Sequence, residues 1–457
     1  MNVWLVNPFS DLPDEGATEG RFCCLARLLA ETGHSVTWWT VDFHHRTKRR
    51  REAPTDGEWR MADGGAFEIV LLPVPAYRKN ISLARLRSHR AYGREFAKEA
   101  GERIAGDPEA VPDVIHLSAP PLDCIDPALE LKRRYGCRVT VDVMDLWPET
   151  FSRLVPGDGG LRMADGELDQ GITDWTEVPG WRGWLVRRLF GGMFRTARRG
   201  YREADGVSAV SQEYLDLVAK IRRTPSPPTQ SCLAPGAKHG SAITHPPSSL
   251  HLCYVGGELI EAAPRASRAE ADGPRFIYVG AMSPTYDLQT ILEASSILKD
   301  EGRSFEVSFA GCGVSEAALR AEVRRLGLED RVRFLGFLNR DALADALGDA
   351  DVGLNAIKPG TFITMPHKLS DYFCAGLAVI NSTPGEPEAL LAEAQAGVTY
   401  EAGSAKGLAA AMRSYLENPK MLEAHRKNSW RLAETRFARD ASYRRLIEWI
   451  LATPGGS

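Results

Sequence analysis

The sequence has no Cys-x-x-Cys pair. Its eight cysteines, among them Cys23, Cys24, Cys124, Cys312 and Cys374, are scattered along the chain. That spacing argues for reduced thiols and against a zinc site. No apolar run is long enough to cross a bilayer. The opening MNVWLVNPFSD lacks a basic region and a long apolar core, so a strand is expected there and not a secretion signal. Excess charge is small: a net charge of −4 gives no general attraction to nucleic acid, and none is expected as a partner. Internal repeats are absent. What remains is an ordinary globular composition, 44% apolar and 25% charged, over 457 residues, which predicts two to three domains.

The first third alternates short apolar runs with amphipathic ones. Asn2–Asn7 reads as a buried strand, Pro8–Gly20 as a loop, Arg21–Thr32 as a helix and Ser35–Val41 as the next strand. This β-loop-α-β unit opens a doubly wound sheet. Ile69–Val74, Val114–Leu117 and Arg138–Val143 are further strands, with helices at Leu83–Ile104 and Asp126–Tyr135. Open parallel sheets bind ligands at the carboxyl ends of their strands. His116, at the end of its strand, and the segment Asp145-Leu-Trp-Pro-Glu149 leave from that edge, which makes His116, Asp145 and Glu149 catalytic candidates. The plainer alternative has Asp145 capping a turn and Trp147 filling an apolar gap. His34 is read as ending a helix or capping a turn, His44 and His45 lie past the second strand, and Arg46–Arg51 is read as a solvated basic loop.

Thr224–Ala271 is rich in Pro and Gly and reads as an interdomain linker with a short strand at Leu250–Val255. The expected boundaries are residues 1–223 for a first domain, 224–271 for the linker, 272–430 for a second domain and 431–457 for a closing helix. A second strand–helix series begins at Arg275–Val279. Its loops carry Gly280-Ala-Met-Ser283, Gly311-Cys-Gly313 and Gly336-Phe337. The Gly-x-Gly has no third glycine, so it is not a dinucleotide fingerprint. Asp349-Ala350-Asp351 is literally D-x-D, but it falls between a helix and a strand and is read as buried structure, not as a metal motif.

The chemistry is expected in Met365–Glu386, MPHKLSDYFCAGLAVINSTPGE. Pro366 suits a first helical turn, Gly376 a helix end, and Leu377–Ile380 a buried strand. Lys368 and Asp371 are three apart and share a helix face. A helix start with a lysine seats a diphosphate, and a carboxylate one turn on accepts from a ribose diol.

This stretch resembles the donor-site motif of family 4 glycosyltransferases, retaining enzymes of the GT-B fold. Its P-x-K-L-x-[E/D]-Y-x-x-x-G pattern and the string DVMDLWPETF are similar to the branch that makes bacterial surface polysaccharides of the colanic acid and O-antigen type. The family's first glutamate would fall on Ile363, its second on Asp371. The resemblance implies two doubly wound Rossmann-like domains facing across a cleft, with the last helix crossing back to the first domain. It implies a nucleotide-sugar donor held by Gly16 and Gly20 of the first loop, and by Gly280, Ser283, Gly311, Gly313, Phe337, Lys368, Asp371, Gly385 and Glu386. Lys368 would join Asp145, Glu149 and His116 in catalysis on a glycan or polyprenyl-linked acceptor, with no metal or other cofactor. The alternatives are a nucleotide-sugar 2-epimerase and a non-catalytic GT-B subunit. Trp181–Arg199, basic and amphipathic, is expected to touch an anionic membrane, or else to pack in the core with solvated arginines. The expected place is the cytoplasm, at the membrane face.

Overall fold

The computed structural model describes residues 1–13, 15, 19–51, 58–60, 66–80, 82–149, 180–223, 249–260, 273–361 and 363–455. The described residues up to Cys253, with those from Tyr443 onward, form one compact unit, and Tyr254–Ser442 form a second. Each is built on one sheet.

The first unit runs β1 (Asn2–Val6), α1 (Arg21–Glu31), β2 (Ser35–Val41), β3 (Glu58–Arg60), β4 (Ala66–Leu72), α2 (Leu83–Gly106), β5 (Val114–Ala119), α3 (Ile125–Tyr135), β6 (Arg138–Val143), α4 (Gly180–Glu203), β7 (Gly206–Ala209), α5 (Gln212–Arg223) and β8 (Leu250–Leu252). The sheet order is β3-β4-β2-β1-β5-β6-β7-β8. Only β3 is antiparallel to its neighbour. Without its edges this is the Rossmann order, and the chain reverses direction across the sheet between β1 and β5. Helices cover such a sheet on both faces, so β1 is apolar from Val3 to Val6 and not alternating. β5 continues past Leu117 because Ser118 and Ala119 pair with Asp142 and Val143. Two small residues carry no hydrophobic signal, which is why the strand looks shorter in the sequence.

The second unit runs β9 (Arg275–Val279), α6 (Leu288–Asp300), β10 (Glu306–Ala310), α7 (Glu316–Leu326), β11 (Val332–Gly336), α8 (Arg340–Asp349), β12 (Val352–Asn355), α9 (Lys368–Cys374), β13 (Ala378–Asn381), α10 (Glu386–Ala394), β14 (Gly397–Thr399), α11 (Ala405–Glu417) and α12 (Pro419–Leu432). All its strands are parallel, in the order β11-β10-β9-β12-β13-β14. This too is the Rossmann order, with its switch point between β9 and β12. Phe276, Tyr278, Ile291, Phe309, Leu354 and Met412 fill the core. The final helix, α13 (Arg439–Ala452), places Tyr443, Leu446, Ile447 and Ile450 in the first unit's core with Leu5, Phe22 and Trp38.

Candidate active site

At the switch point of the second sheet, β12 pairs with β9 only at Val352–Phe276 and Gly353–Ile277. Beyond them the side chain of Tyr372, from α9, enters between the strands. Its hydroxyl accepts from the Val279 N–H and donates to the Leu354 carbonyl, both at 3.0 Å. The ring fills the space beside Gly353, where a Cβ would come within 2.4 Å of it. The tyrosine thus holds the two strand ends apart and satisfies both backbone groups.

α9 starts at Lys368 with His367 as its cap, and Pro366 sits in the turn before it, its carbonyl accepting from the Leu369 N–H. The helix ends in a Schellman pair: Gly376, at φ 62, donates to Phe373, and Leu377 donates to Tyr372. Lys368 Nζ lies 4.0 Å from the ring centroids of both Tyr278 and Tyr286. Lys368 is only 7% exposed, and its Nζ has no hydrogen-bond partner among the described residues. Burial pushes its pKa down to about 7, and Asp371 pulls it partly back. Half-buried Asp371 is pushed up to about 6 by desolvation, against the pull of Arg439 and Lys368. A buried amine without an acceptor is costly. Here it stands where a parallel sheet receives its ligand.

The loops after β9 and β10 lie against each other. Gly280 donates to Ala310, Met282 to Cys312, and Ser315 to Met282. A Cβ on Gly311 would fall 2.0 Å from the Gly280 carbonyl oxygen, and one on Gly313 2.3 Å from that of Met282. The Gly-x-Gly therefore permits backbone contact between two loops. Gly280 backs onto the lysine, since its Cβ would lie 3.5 Å from Lys368 Nζ. Gly280, Gly311, Gly313, Lys368 and Asp371 are thus brought together. Ser283 is half-buried in the same loop, and Phe337, past β11, is 74% exposed. Gly385 caps α10, and Glu386 accepts from the Tyr254 hydroxyl at 2.7 Å. A buried network that the sequence reading missed closes the β12 and β13 ends: Asn355 donates to Asn381 at 2.8 Å and to Thr383 at 3.0 Å. The available signal was an asparagine at the end of each of two apolar strands.

In the first unit His116 needs correction as a catalytic candidate. It lies inside β5, fully buried, stacked on Phe22 and bonded through Nδ1 to Thr140 at 2.9 Å. Burial pushes its pKa down to about 4, with Asp142 raising it and Arg21 lowering it. Asp142 instead grips Arg21, Nε at 2.8 Å and Nη2 at 3.0 Å, inside the core. Asp145 is half-buried and accepts from the Trp147 indole N–H at 3.1 Å; Glu149 is buried. Gly20 caps α1 against Ser10, and Gly16 lies outside the described residues.

Asp349 also departs from expectation: its side chain is 80% exposed and pairs with Arg275. Asp351 accepts from the Arg275 N–H at 3.0 Å and pairs with Arg426. Both stand at the amino end of β12, opposite the switch-point edge. Asp11, Glu15 and His44 have the proximity of a metal trio. However, Thr47 N–H donates to His44 Nδ1, so Nε2 carries the proton and donates to Asp11 at 2.9 Å. Arg46 and Arg51 neutralise the two carboxylates. The trio is a closed ion-pair network.

Residues 16–230 match the family model described as Glycosyl transferase 4-like domain, and residues 260–431 match Glycosyl transferases group 1. The structure is similar to sucrose-phosphate synthase from Thermosynechococcus elongatus, with a TM-score of 0.64 at 15% identity over 98% of each chain. The fold is GT-B. Other GT-B neighbours are HepE of Anabaena, solved in complex with UDP-glucose, at TM-score 0.57, 13% identity and coverage of 99% of this chain and 100% of that one. WaaG, a glycosyltransferase involved in lipopolysaccharide biosynthesis, gives 0.55 at 13% identity, with 99% and 100% covered. The curated amylovoran biosynthesis glycosyltransferase AmsK of Erwinia amylovora is 30% identical over 183 residues. That match spans 38% of this GT-B chain and 44% of the relative, less than half its length.

Proposed function

We propose that the protein is a glycosyltransferase that moves a sugar from a nucleotide-diphosphate sugar to a glycan or lipid-linked acceptor in cell-surface polysaccharide biosynthesis, with retention of configuration. Both matching family models describe glycosyltransferases, AmsK is named for amylovoran biosynthesis, and HepE was solved with UDP-glucose. The observation that carries the reading is Lys368 Nζ, buried and unsatisfied at the Rossmann switch point. Its ammonium meets the donor diphosphate and stabilises the charge that develops as the sugar leaves, which is usually the largest catalytic term. Asp371 accepts from the ribose hydroxyls, and no metal is required. Asp145 and Glu149 orient the acceptor hydroxyl.

The test is calorimetric titration of a nucleotide-sugar panel into wild type, Lys368→Ala and Asp371→Ala. Each substitution should weaken donor binding by about 1.5–3 kcal/mol, the worth of a charge-assisted hydrogen bond. Wild-type affinity in both variants would sink the assignment. Nucleotide release that needs an acceptor supports transfer, inversion at C2 of the donor with no acceptor and no net release points to an epimerase, and neither change to a binding subunit.

A further inference from the structure

The first unit carries a cationic, aromatic hollow that the donor chemistry does not use. It lies at the carboxyl edge of the sheet, among the loops after β1, β2 and β4 and the start of α2. Phe9, Phe43, His45, Tyr77, His89 and Tyr92 are among the residues lining it. Two cations rest on these walls. The Arg85 guanidinium stacks 5.4 Å from the Phe9 ring and 4.8 Å from that of Trp147, and its Nε reaches His89 at 3.3 Å. Lys48 Nζ lies 4.6 Å from the centre of Tyr77 and donates to the His45 carbonyl and to Asn80.

Neither cation forms an ion pair among the described residues, whereas neighbouring basic residues do. Arg46 takes Asp11, Arg50 takes Asp42 and Arg51 takes Glu15. Lys48 reaches its place from a left-handed backbone, φ 60, that a non-glycine residue adopts only at some cost. His45 and His89 add no charge. Desolvation first, then Arg85, pushes His45 down to about 4 and His89 down to about 3, so both are neutral at pH 7. Asp145 is the acid that acts on Arg85 from nearby, and it is held by the Trp147 indole. Among the described residues, Asp145 is near Arg85 without pairing with it, and neither half-buried cation has a carboxylate at ion-pair distance.

We infer that Arg85 and Lys48, which both donate to Asn80 at the rim of this hollow, bind an oxyanion carried by the acceptor. The inference deepens the transferase reading and rests on it for the word acceptor; the anion site itself lies wholly within the first unit. Phosphate on an apolar carrier and the carboxylate of an acidic sugar share this chemistry.

Direct binding tests it without turnover. Geranyl phosphate, glucuronate and their neutral counterparts geraniol and glucose are titrated into the full chain at low and moderate salt. His45 and His89 ring resonances report occupancy. Saturable binding of geranyl phosphate or of glucuronate is expected, at least tenfold weaker in Arg85→Gln and in Lys48→Gln and unchanged in Lys368→Ala. Whichever anion binds identifies the source. Absence of binding by either anion, equal binding in the glutamine variants, or equal binding of the neutral compounds overturns the site. Thermal unfolding of both glutamine variants checks folding, and a misfolded one is replaced by Arg85→Lys, expected to retain part of the affinity. Donor titration on the same samples reads Lys368 separately, so failure of the donor site and failure of the anion site are distinguishable.

Discussion

With its pKa held near 7, Lys368 is about half charged at neutral pH. A bound diphosphate favours the charged form, so donor binding takes up a proton wherever the amine starts neutral. Uptake should be small at about pH 6, near half at about pH 7 and close to one at about pH 8. Calorimetry in buffers of different ionisation enthalpy measures it, and the same uptake in Lys368→Ala would remove the amine from the donor seat. The sign for folding is also fixed. The pKa falls from its ordinary 10.5 to about 7 on folding, so the unfolded chain binds more protons between those values. Stability therefore falls as pH drops from 10.5 to 7, and Lys368→Met should gain on wild type over that window, levelling off below it. Tyr372→Phe should cost about 1–3 kcal/mol in urea unfolding, because the Val279 N–H and Leu354 carbonyl lose a buried partner. A cost near zero would mean that solvent reaches the switch point. That Lys368 and Asp371 stand together on α9 was legible because helical spacing defines it. Tyr372 was not, since its partners come from strands far away in sequence, and His116 misled because Ser118 and Ala119 hide the true end of β5.

α4 shows how much periodicity decides. Its basic, amphipathic character was legible; of its two apolar faces, the one on which Trp181, Leu185, Leu189 and Met193 recur every four residues is the less buried. Val186, Phe194, Ala197 and Tyr201 face the core, while Trp181, Trp184 and Leu189 are 64%, 61% and 61% exposed. Two apolar faces at helical spacing cannot be ranked without knowing which neighbour arrives. Gly200 marks that neighbour: a Cβ there would lie 2.8 Å from the Ile125 side chain of α3. At Gly191 and Gly192 a Cβ meets nothing within 4 Å. Each Gly→Ala change at those two should add about 1 kcal/mol to stability through helix propensity. Gly200→Ala should cost about 1–3 kcal/mol through overpacking. Thermal unfolding of the three variants checks this, and a gain at Gly200 would contradict the packing of α4 on α3. Short elements such as β14 and α10 escaped the sequence reading because a few residues carry no period.

For the whole molecule, the exposed tryptophans of α4 lie beside exposed Arg187, Arg188 and Arg195, a combination suited to an anionic lipid surface. No helix among the described residues is long and apolar enough to cross a membrane. Co-sedimentation with anionic vesicles, weaker at higher salt and lost when Arg187, Arg188 and Arg195 are replaced by glutamine, is expected; equal binding to neutral vesicles would refute the electrostatic part. With Lys368 in its proposed place at the diphosphate, transfer should survive EDTA; loss restored by manganese would refute that. The two-sheet architecture was legible from alternating strand and helix patterns, whereas the point at which the chain re-enters the first domain depends on α13. That helix also imposes an order of manufacture. A ribosome finishes the entire second domain before it delivers Tyr443, Leu446, Ile447 and Ile450 to the core of the first. The first domain to be synthesised is therefore the last able to close, and a nonsense codon just beyond Ser442 injures the opposite end of the gene product.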